Sequence, residues 1–215
     1  KDCGGDALPV ALTTIFIQQG DSFTPKQVIG FDPEADPGRV KLRDNIKIGL
    51  YSLERGQIII GELAASELGI YVGDKILVHS PNRLGKLVKR NKGGKVEMSD
   101  KAQVYLPSEF TVTAISSFGK GDFDRNVVFM NLDDADDLLE APWGTASCIF
   151  AWTDDAFNMS EFMMRLRDKL PDYICRSWQQ ANSKLLGVLA VEKNMQFFLL
   201  FFIILVSAFS ITNTL

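Results

Sequence analysis

The residues of this 215-residue chain that could carry chemistry are few: one histidine, three cysteines and two groups of aspartates. His79 closes an alternating segment, and any histidine-based triad would have to use it; no Gly-x-Ser-x-Gly elbow accompanies it. A lone histidine at the end of a strand reads as a partly exposed scaffold residue. Asp122 and Asp124, in Gly121-Asp-Phe-Asp-Arg125, begin like a calcium loop but lack its later ligands. Asp133, Asp134, Asp136 and Asp137 open a short helix, where the macrodipole and solvation account for them. Gly93-Gly94-Lys95 is followed by Val96 and lacks the upstream glycine of a phosphate-binding loop. Cys3, Cys148 and Cys175 have no metal-ligand spacing. One pair could bridge in an oxidising compartment, and the odd count favours buried free thiols. The chain thus offers no catalytic residue, no metal set and no cofactor motif of its own.

The elements that would position these residues belong to an α+β fold. Ala11 to Gln18 alternates apolar and β-branched residues and predicts a strand ending at Gly20-Asp21, after a loop over 1–10. Gln27 to Phe31 predicts a second strand, stopped by Asp32-Pro33. Arg39 to Gln57 has little periodicity and reads as irregular. Ile58-Ile-Ile60 is a short strand, Glu62 to Leu68 a helix closed by Gly69, and Lys75 to Ser80 a strand. Phe110 to Ser116 and Val127 to Met130 predict strands separated by a loop over Gly119 to Asn126. Asp133 to Leu139 is a helix and Ala146 to Trp152 a strand. Asn158 to Leu170 predicts a helix opened by Asn158, and Tyr173 to Cys175 a last strand.

Charge is unevenly spread. Arg83 to Gln103 holds seven basic residues against Glu97 and Asp100, about +5, so the rest of this −4 chain carries about −9. Gly93-Gly94 at its centre predicts a hairpin. It is either a solvated ribbon or a docking element for an acidic partner or anionic headgroups.

The end of the chain is different again. From Asn194 to Leu215 there is no charged residue, and Phe197 to Val206 has no polar one. At 1.5 Å per residue such a helix spans roughly 30 Å, the thickness of a bilayer's hydrocarbon core. Ser177 and Gln180 fit a capping box, and Trp178, Ala181, Leu185 and Val188 or Leu189 recur at helical spacing behind it. A stalk helix over 177–193 is therefore expected to run straight into a transmembrane helix over 194–215. The first residue is not Met and the chain stops at this helix, so a piece of a longer protein is expected.

These segments also carry a family likeness. Ile58-Ile-Ile-Gly-Glu-Leu-Ala-Ala-Ser-Glu-Leu-Gly-Ile-Tyr-Val-Gly-Asp-Lys-Ile-Leu-Val-His-Ser-Pro81 resembles a segment of the MacB/FtsX-like permeases. Glu192-Lys193-Asn194-Met195 and Ala208-Phe209-Ser210-Ile211 resemble their stalk and second membrane helix. Both segments are closest to the lipoprotein-releasing (Lol) branch, and Val28-Ile-Gly-Phe-Asp-Pro33 and Asn131 to Leu139 resemble a strand and a helix of the same branch. The likeness covers most of residues 26–215.

The resemblance implies an extracytoplasmic MacB-like core domain between two transmembrane helices of an ABC-transporter permease. A β-rich subdomain over 58–132 would be inserted into a second one built from 1–57 and 133–176. Residues 1–176 would lie in the periplasm and the helix in the inner membrane. ATP and Mg would be bound by a separate ATPase subunit. The other implied partners are a second permease subunit (the same chain or a sister), a periplasmic lipoprotein carrier, the lipoprotein substrate and membrane lipid; no nucleic acid is expected. The family's carrier-gripping hairpin ends at a segment matched by Leu106-Pro107-Ser108, so Lys89, Arg90, Lys92, Tyr105, Leu106 and Pro107 are the expected carrier contacts. Trp178, Leu185, Leu189 and Glu192 are the expected coupling stalk, and Asn194, Met195 and Phe198 the expected membrane- or substrate-facing positions. A MacB-like export subunit and an FtsX-like signalling module controlling a cell-wall hydrolase are the alternatives.

Overall fold

The computed structural model describes residues 5–20, 22–83, 88–90, 96–98, 106–142 and 145–214, and its contacts divide the chain into two units, the first running to Trp152 and the second from Thr153. Cys3, Lys92 and Tyr105 lie outside the described residues.

The first unit begins with a long hairpin of β1 (Asp6–Gln19) and β2 (Ser22–Phe31), paired from Val10↔Phe31 to Gln19↔Ser22. Gly20, at φ 58°, takes the left-handed turn conformation that costs a glycine nothing. The strand starts within the expected loop. Pro9 is tolerated there because β2 pairs only from Val10 onward, leaving one edge of the backbone at Pro9 without a ladder to break.

Next come β3 (Ile46–Gly49), β4 (Gln57–Gly61), helix α1 (Glu62–Leu68) and β5 (Lys75–His79). Gly69 closes α1 at φ 60°, and its N–H and that of Ile70 take up carbonyls of the last turn. The segment expected to be irregular therefore contains a strand, β3, which pairs β8 through a bulge between Ile46 and Ile48. A short ribbon of β6 (Val88–Arg90) and β7 (Val96–Met98) follows, then β8 (Ser108–Ser116), α2 (Gly121–Asn126), β9 (Val127–Asn131), α3 (Leu132–Leu139) and β10 (Cys148–Trp152). The expected loop before β9 is thus a helix, α2.

Apart from the ribbon, the strands share one eight-stranded sheet, and six of them close on themselves. β1 pairs β2, β2 pairs β9, β9 pairs β4, β4 pairs β8, β8 pairs β5, and β5 returns to residues 16–18 of β1. β10 is added beside residues 6–10 of β1, and β3 beside the end of β8. Strands on both sides of residues 58 and 132 therefore belong to one sheet.

Both faces of the central strands are covered, which is why Ile58-Ile-Ile60 has no polar position. Ile58 and Ile60 join Ile15, Val28, Val112 and Met130 in one buried cluster, while Ile59 faces Phe31, Phe129 and Leu53 in another. β1 serves both clusters by changing face: Leu8 and Val10 enter the second, Ala11, Ile15 and Ile17 the first. Helix α3 lies so close to β2 that a Cβ on Gly30 would come within 2.4 Å of the Ala135 Cβ.

The second unit contains α4 (Ser160–Lys169), α5 (Trp178–Ala181) and α6 (Ser183–Thr214). Met159, not Asn158, is the residue before α4, and no side chain caps it; Asp155 instead accepts the amides of Phe157 and Asn158. Tyr173 to Cys175 is not a strand: Tyr173 and Ile174 are exposed with no neighbouring strand to pair with. The expected succession of strand, helix and strand over 146–175 therefore stops at its helix. The expected long helix is present as the 32 residues of α6, and Ser183–Ile211 is long and apolar enough to cross a membrane.

Candidate functional site

The basic ribbon is rooted in unit one by an arrangement the sequence did not announce. Helix α3 ends at Leu139, and the last carbonyls of a helix have no partner within it. Side chains at the foot of the ribbon supply the donors. Ser80 Oγ donates to the Leu138 carbonyl at 2.5 Å, Asn82 Nδ2 to that of Leu139 at 3.1 Å, and Arg83 Nη2 to that of Asp137 at 2.9 Å. Arg83 also sits 3.9 Å from the Glu140 carboxylate, and its cation suits the negative end of the helix.

In the ribbon β6 and β7 pair antiparallel, Val88↔Met98, Lys89↔Glu97 and Arg90↔Val96; the turn expected at Gly93-Gly94 lies outside the described residues. Lys89 and Arg90 are therefore on β6, with Glu97 opposite Lys89. The chain returns through Leu106, 73% exposed, and the half-buried Pro107.

The aspartates turn out to be fasteners. Asp124 is buried and accepts the amides of Phe118 at 2.9 Å and Lys120 at 3.1 Å, so its carboxylate holds the loop that leads into α2. Asp122 is fully exposed, 3.6 Å from Arg125. On α3, Asp134 accepts the Gly56 amide at 2.8 Å, Asp136 the Thr145 amide at 3.2 Å, and Asp133 and Asp137 each lie 3.5 Å from Arg55. Burial holds the Asp134 carboxyl above the usual carboxylate range. Asp133, Asp134 and Asp137 thus hold the loop before β4 and Asp136 the segment after α3, tasks beyond the solvated helix start expected of them.

His79 is buried, not partly exposed. Its Nε2 lies 2.7 Å from Gln18 Oε1, the Phe23 ring packs edge-on against it at 5.1 Å, and burial lowers its pKa. Lys26, also buried, donates to the Arg125 carbonyl at 2.5 Å and faces Glu67 at 3.7 Å; desolvation lowers its pKa. Periodicity could not single out Lys26, because a charge in a strand normally marks the solvent face.

The stalk residues are placed by unit two. Ser177 and Gln180 form the expected reciprocal capping box. Trp178 Nε1 donates to the Ala156 carbonyl at 2.7 Å and its ring meets Phe157 edge-on at 6.0 Å, so the start of α5 is tied to the loop before α4. A cleft of ≈ 530 Å³ lies beside it, lined by Met159, Met163, Met164 and Arg167 among others. α5 and α6 are interrupted at Asn182, whose N–H and carbonyl still take part in helical bonds to Trp178 and Leu186. Leu185, Leu189 and Glu192 are exposed on α6, and Gln196 Nε2 reaches Glu192 at 3.5 Å. Asn194, Met195 and Phe198 lie further along, exposed like their neighbours.

Among the described residues no group of three or more His, Cys, Asp or Glu side chains could hold a metal. The arrangement is one of rigid fastening, a basic ribbon and a long apolar helix.

No family model matches the chain. It is 25% identical over 211 residues, 97% of its length, to the lipoprotein-releasing system transmembrane protein LolC of Haemophilus influenzae. The chain spans 49% of that relative. The extracellular domain of the noncanonic ABC-type transporter YknZ from Gram-positive bacteria aligns over 77% of this chain and 76% of its own, with 13% identity and a TM-score of 0.44. The periplasmic region of MacB from Actinobacillus actinomycetemcomitans aligns over 76% of this chain and 66% of its own, with 10% identity and a TM-score of 0.46. The chain thus resembles Lol-type permeases along nearly its whole length, as its motifs indicate.

Proposed function

We propose that this chain is part of a permease subunit of a lipoprotein-releasing ABC transporter, with its sheet unit in the periplasm and α6 in the inner membrane. The observation that carries the reading is the LolC similarity, which runs through both the sheet unit and the apolar helix. The domain contributes no catalytic group in this reading. ATP is hydrolysed by a separate ATPase subunit, a second permease subunit completes the membrane pair, and lipoprotein is handed to a soluble carrier. The basic ribbon and Leu106-Pro107 grip the carrier, and Ser80, Asn82 and Arg83 fasten the chain that leads into the ribbon to the end of α3. Trp178, Leu185, Leu189 and Glu192 transmit movement between α6 and the domain, while Asn194, Met195 and Phe198 face lipid or substrate.

The test has two arms. Tyr71, 71% exposed, is changed to Cys after Cys3, Cys148 and Cys175 are replaced by Ser. An impermeant thiol reagent is expected to label it in cells whose inner membrane is intact; labelling only after that membrane is opened refutes the topology. The full permease with its ATPase, in proteoliposomes loaded with a fluorescent acylated lipoprotein, is expected to transfer that protein to soluble carrier only with ATP. ATP hydrolysis with no transfer refutes lipoprotein release.

A further inference from the structure

Half of the chain's six methionines fall between residues 159 and 164, and all of these, Met159, Met163 and Met164, line the cleft of the second unit. Helix α4 puts them there. The Met163 N–H donates to the Met159 carbonyl at 2.8 Å, so these two lie one turn apart on the same face, and Met164 follows beside them. Side chains at that spacing start roughly 5–6 Å apart at Cβ. Methionine has three rotatable bonds with which to swing its sulfur inward, so three thioethers can converge on one point. Methionines in a folded unit are usually gap-fillers of a core. Here there is little core to fill: among the described residues of the second unit, Met163 is the one buried hydrophobic side chain, while Met159 is half-buried and Met164 is 64% exposed.

The rest of the lining decides which ligand these sulfurs suit. The charged members are Arg167 and Asp168, one of each sign, and no cysteine or histidine is among the lining residues. A hard divalent cation asks for several oxygen ligands, and zinc for imidazole or thiolate. One carboxylate offset by a guanidinium supplies neither. Thioether sulfur is neutral, polarizable and soft, and such ligands select Cu(I). A singly charged ion also needs no anionic ligand to offset a second charge. The Phe157 ring, 84% exposed and met edge-on by Trp178 at 6.0 Å, adds an aromatic wall, and a cation beside a ring is attracted to it.

We propose that this cleft is a binding site for a soft monovalent cation, Cu(I) or its chemical analogue Ag(I), held by the thioether sulfurs of Met159, Met163 and Met164. The start of α5 forms another wall of the cleft, so the ion sits at the foot of the stalk. Nothing in this assignment depends on what the transporter carries.

The experiment titrates Cu(I), kept reduced by ascorbate and buffered by a chromophoric Cu(I) chelator, into the full-length permease in detergent with its cysteines replaced by Ser. The wild-type cleft is expected to withdraw one equivalent per chain from the chelator. That equivalent is expected to be lost when Met159, Met163 and Met164 are all changed to Leu. Leucine matches methionine closely in volume and is tolerated in its place, so the apolar groove survives and only the sulfurs are removed. An unchanged thermal midpoint establishes that this variant is folded. If it is not, Met164→Leu alone, at an exposed position, replaces it and is expected to weaken binding at least about tenfold, the loss typical of a change beside a metal ligand. Zn(II) at equal concentration is expected to displace none of the bound Cu(I). Undiminished Cu(I) uptake in the folded triple variant, or in Met164→Leu where that variant stands in for it, shows an apolar groove with no metal and overturns the proposal. Displacement by Zn(II), or no uptake by the wild type, overturns it as well. Each of these results leaves the lipoprotein reading to its own transfer assay.

Discussion

Gly61 ends β4 and immediately precedes α1, and helix α2 crosses it at a distance no side chain would allow. A Cβ at residue 61 would lie 2.1 Å from the Asp124 carbonyl oxygen and 2.8 Å from its carbon. Both are backbone atoms, so relief requires moving α2 bodily. Overpacking of this kind costs about 1–3 kcal/mol, and sometimes more. The shift also withdraws the Asp124 carboxylate from the Phe118 and Lys120 amides. Gly61→Ala is therefore expected to raise the exchange rates of those two amides by about 5- to 150-fold through local opening, since about 1.4 kcal/mol is tenfold. Gly121→Ala is the matched control: its Cβ would meet only Leu63 Cδ1, at an ordinary 3.8 Å, and alanine favours the helix by up to about 1 kcal/mol. Hydrogen exchange with mass-spectrometric readout on the full chain in detergent resolves the segment 117–126. If Gly61→Ala exchanges within about twofold of wild type, or if Gly121→Ala is the more damaging of the two, the close approach of α2 to β4 is not what positions this helix.

Three further outcomes follow from the same structure. His79 has a folded pKa lowered by burial, so its contribution to stability is present above the ordinary value of about 6.5 and is lost as pH falls through the folded value; thermal midpoints measured from pH 8 to pH 5 should fall less in His79→Gln than in wild type, and equal slopes refute this. Trp178→Phe removes the bond to the Ala156 carbonyl and keeps the ring, at a cost of about 1 kcal/mol; it should lower lipoprotein transfer less than Leu185→Asp, which should uncouple transfer while ATP hydrolysis continues. Wild-type transfer by Leu185→Asp counts against a transmitting stalk. Changing Lys89, Arg90 and Lys92 together to Glu should slow carrier association and flatten its salt dependence, because the Debye length falls from about 10 Å at 0.1 M to about 3 Å at 1 M; an unaltered salt slope makes the ribbon a solvated loop.

What could be read from the sequence was whatever local chemistry alone decides. The β4–α1–β5 unit was legible because three consecutive isoleucines, a run of helix formers and a left-handed glycine cap each act within a few residues. The capping box at Ser177 and the apolar helix were legible for the same reason. α2 was not: Gly121-Asp-Phe-Asp-Arg-Asn126 is poor helix material, and its turn is held by Asp124 and by the bare backbone of Gly61, which are tertiary effects. The predicted strand at Tyr173–Cys175 failed in the opposite way, since β-propensity without a neighbour makes no ladder. In the candidate site, the charge of the ribbon could be counted, but its root could not. Ser80, Asn82 and Arg83 acquire their roles only because the end of α3, more than 50 residues away, presents carbonyls to them.

The closed circuit of strands also sets the order in which this protein can be made. β1 is bordered by β5, about 60 residues later, and β2 by β9, about 100 residues later. In the proposed topology, a chain emerging from a translocation channel N-terminus first can zip the β1–β2 hairpin at once. Both outer edges of that hairpin then stay open until most of the unit has been delivered. Contacts of such long sequence separation are slow to form, since loop closure comes before any reward. During that interval the nascent hairpin has unpaired backbone at its outer edges and leaves the core-facing Ile15, Ile17 and Val28 uncovered, the profile of a segment that aggregates unless something holds it. Biogenesis of the unit should therefore depend on a holding chaperone on the arrival side of the membrane, and most strongly when emergence is slow.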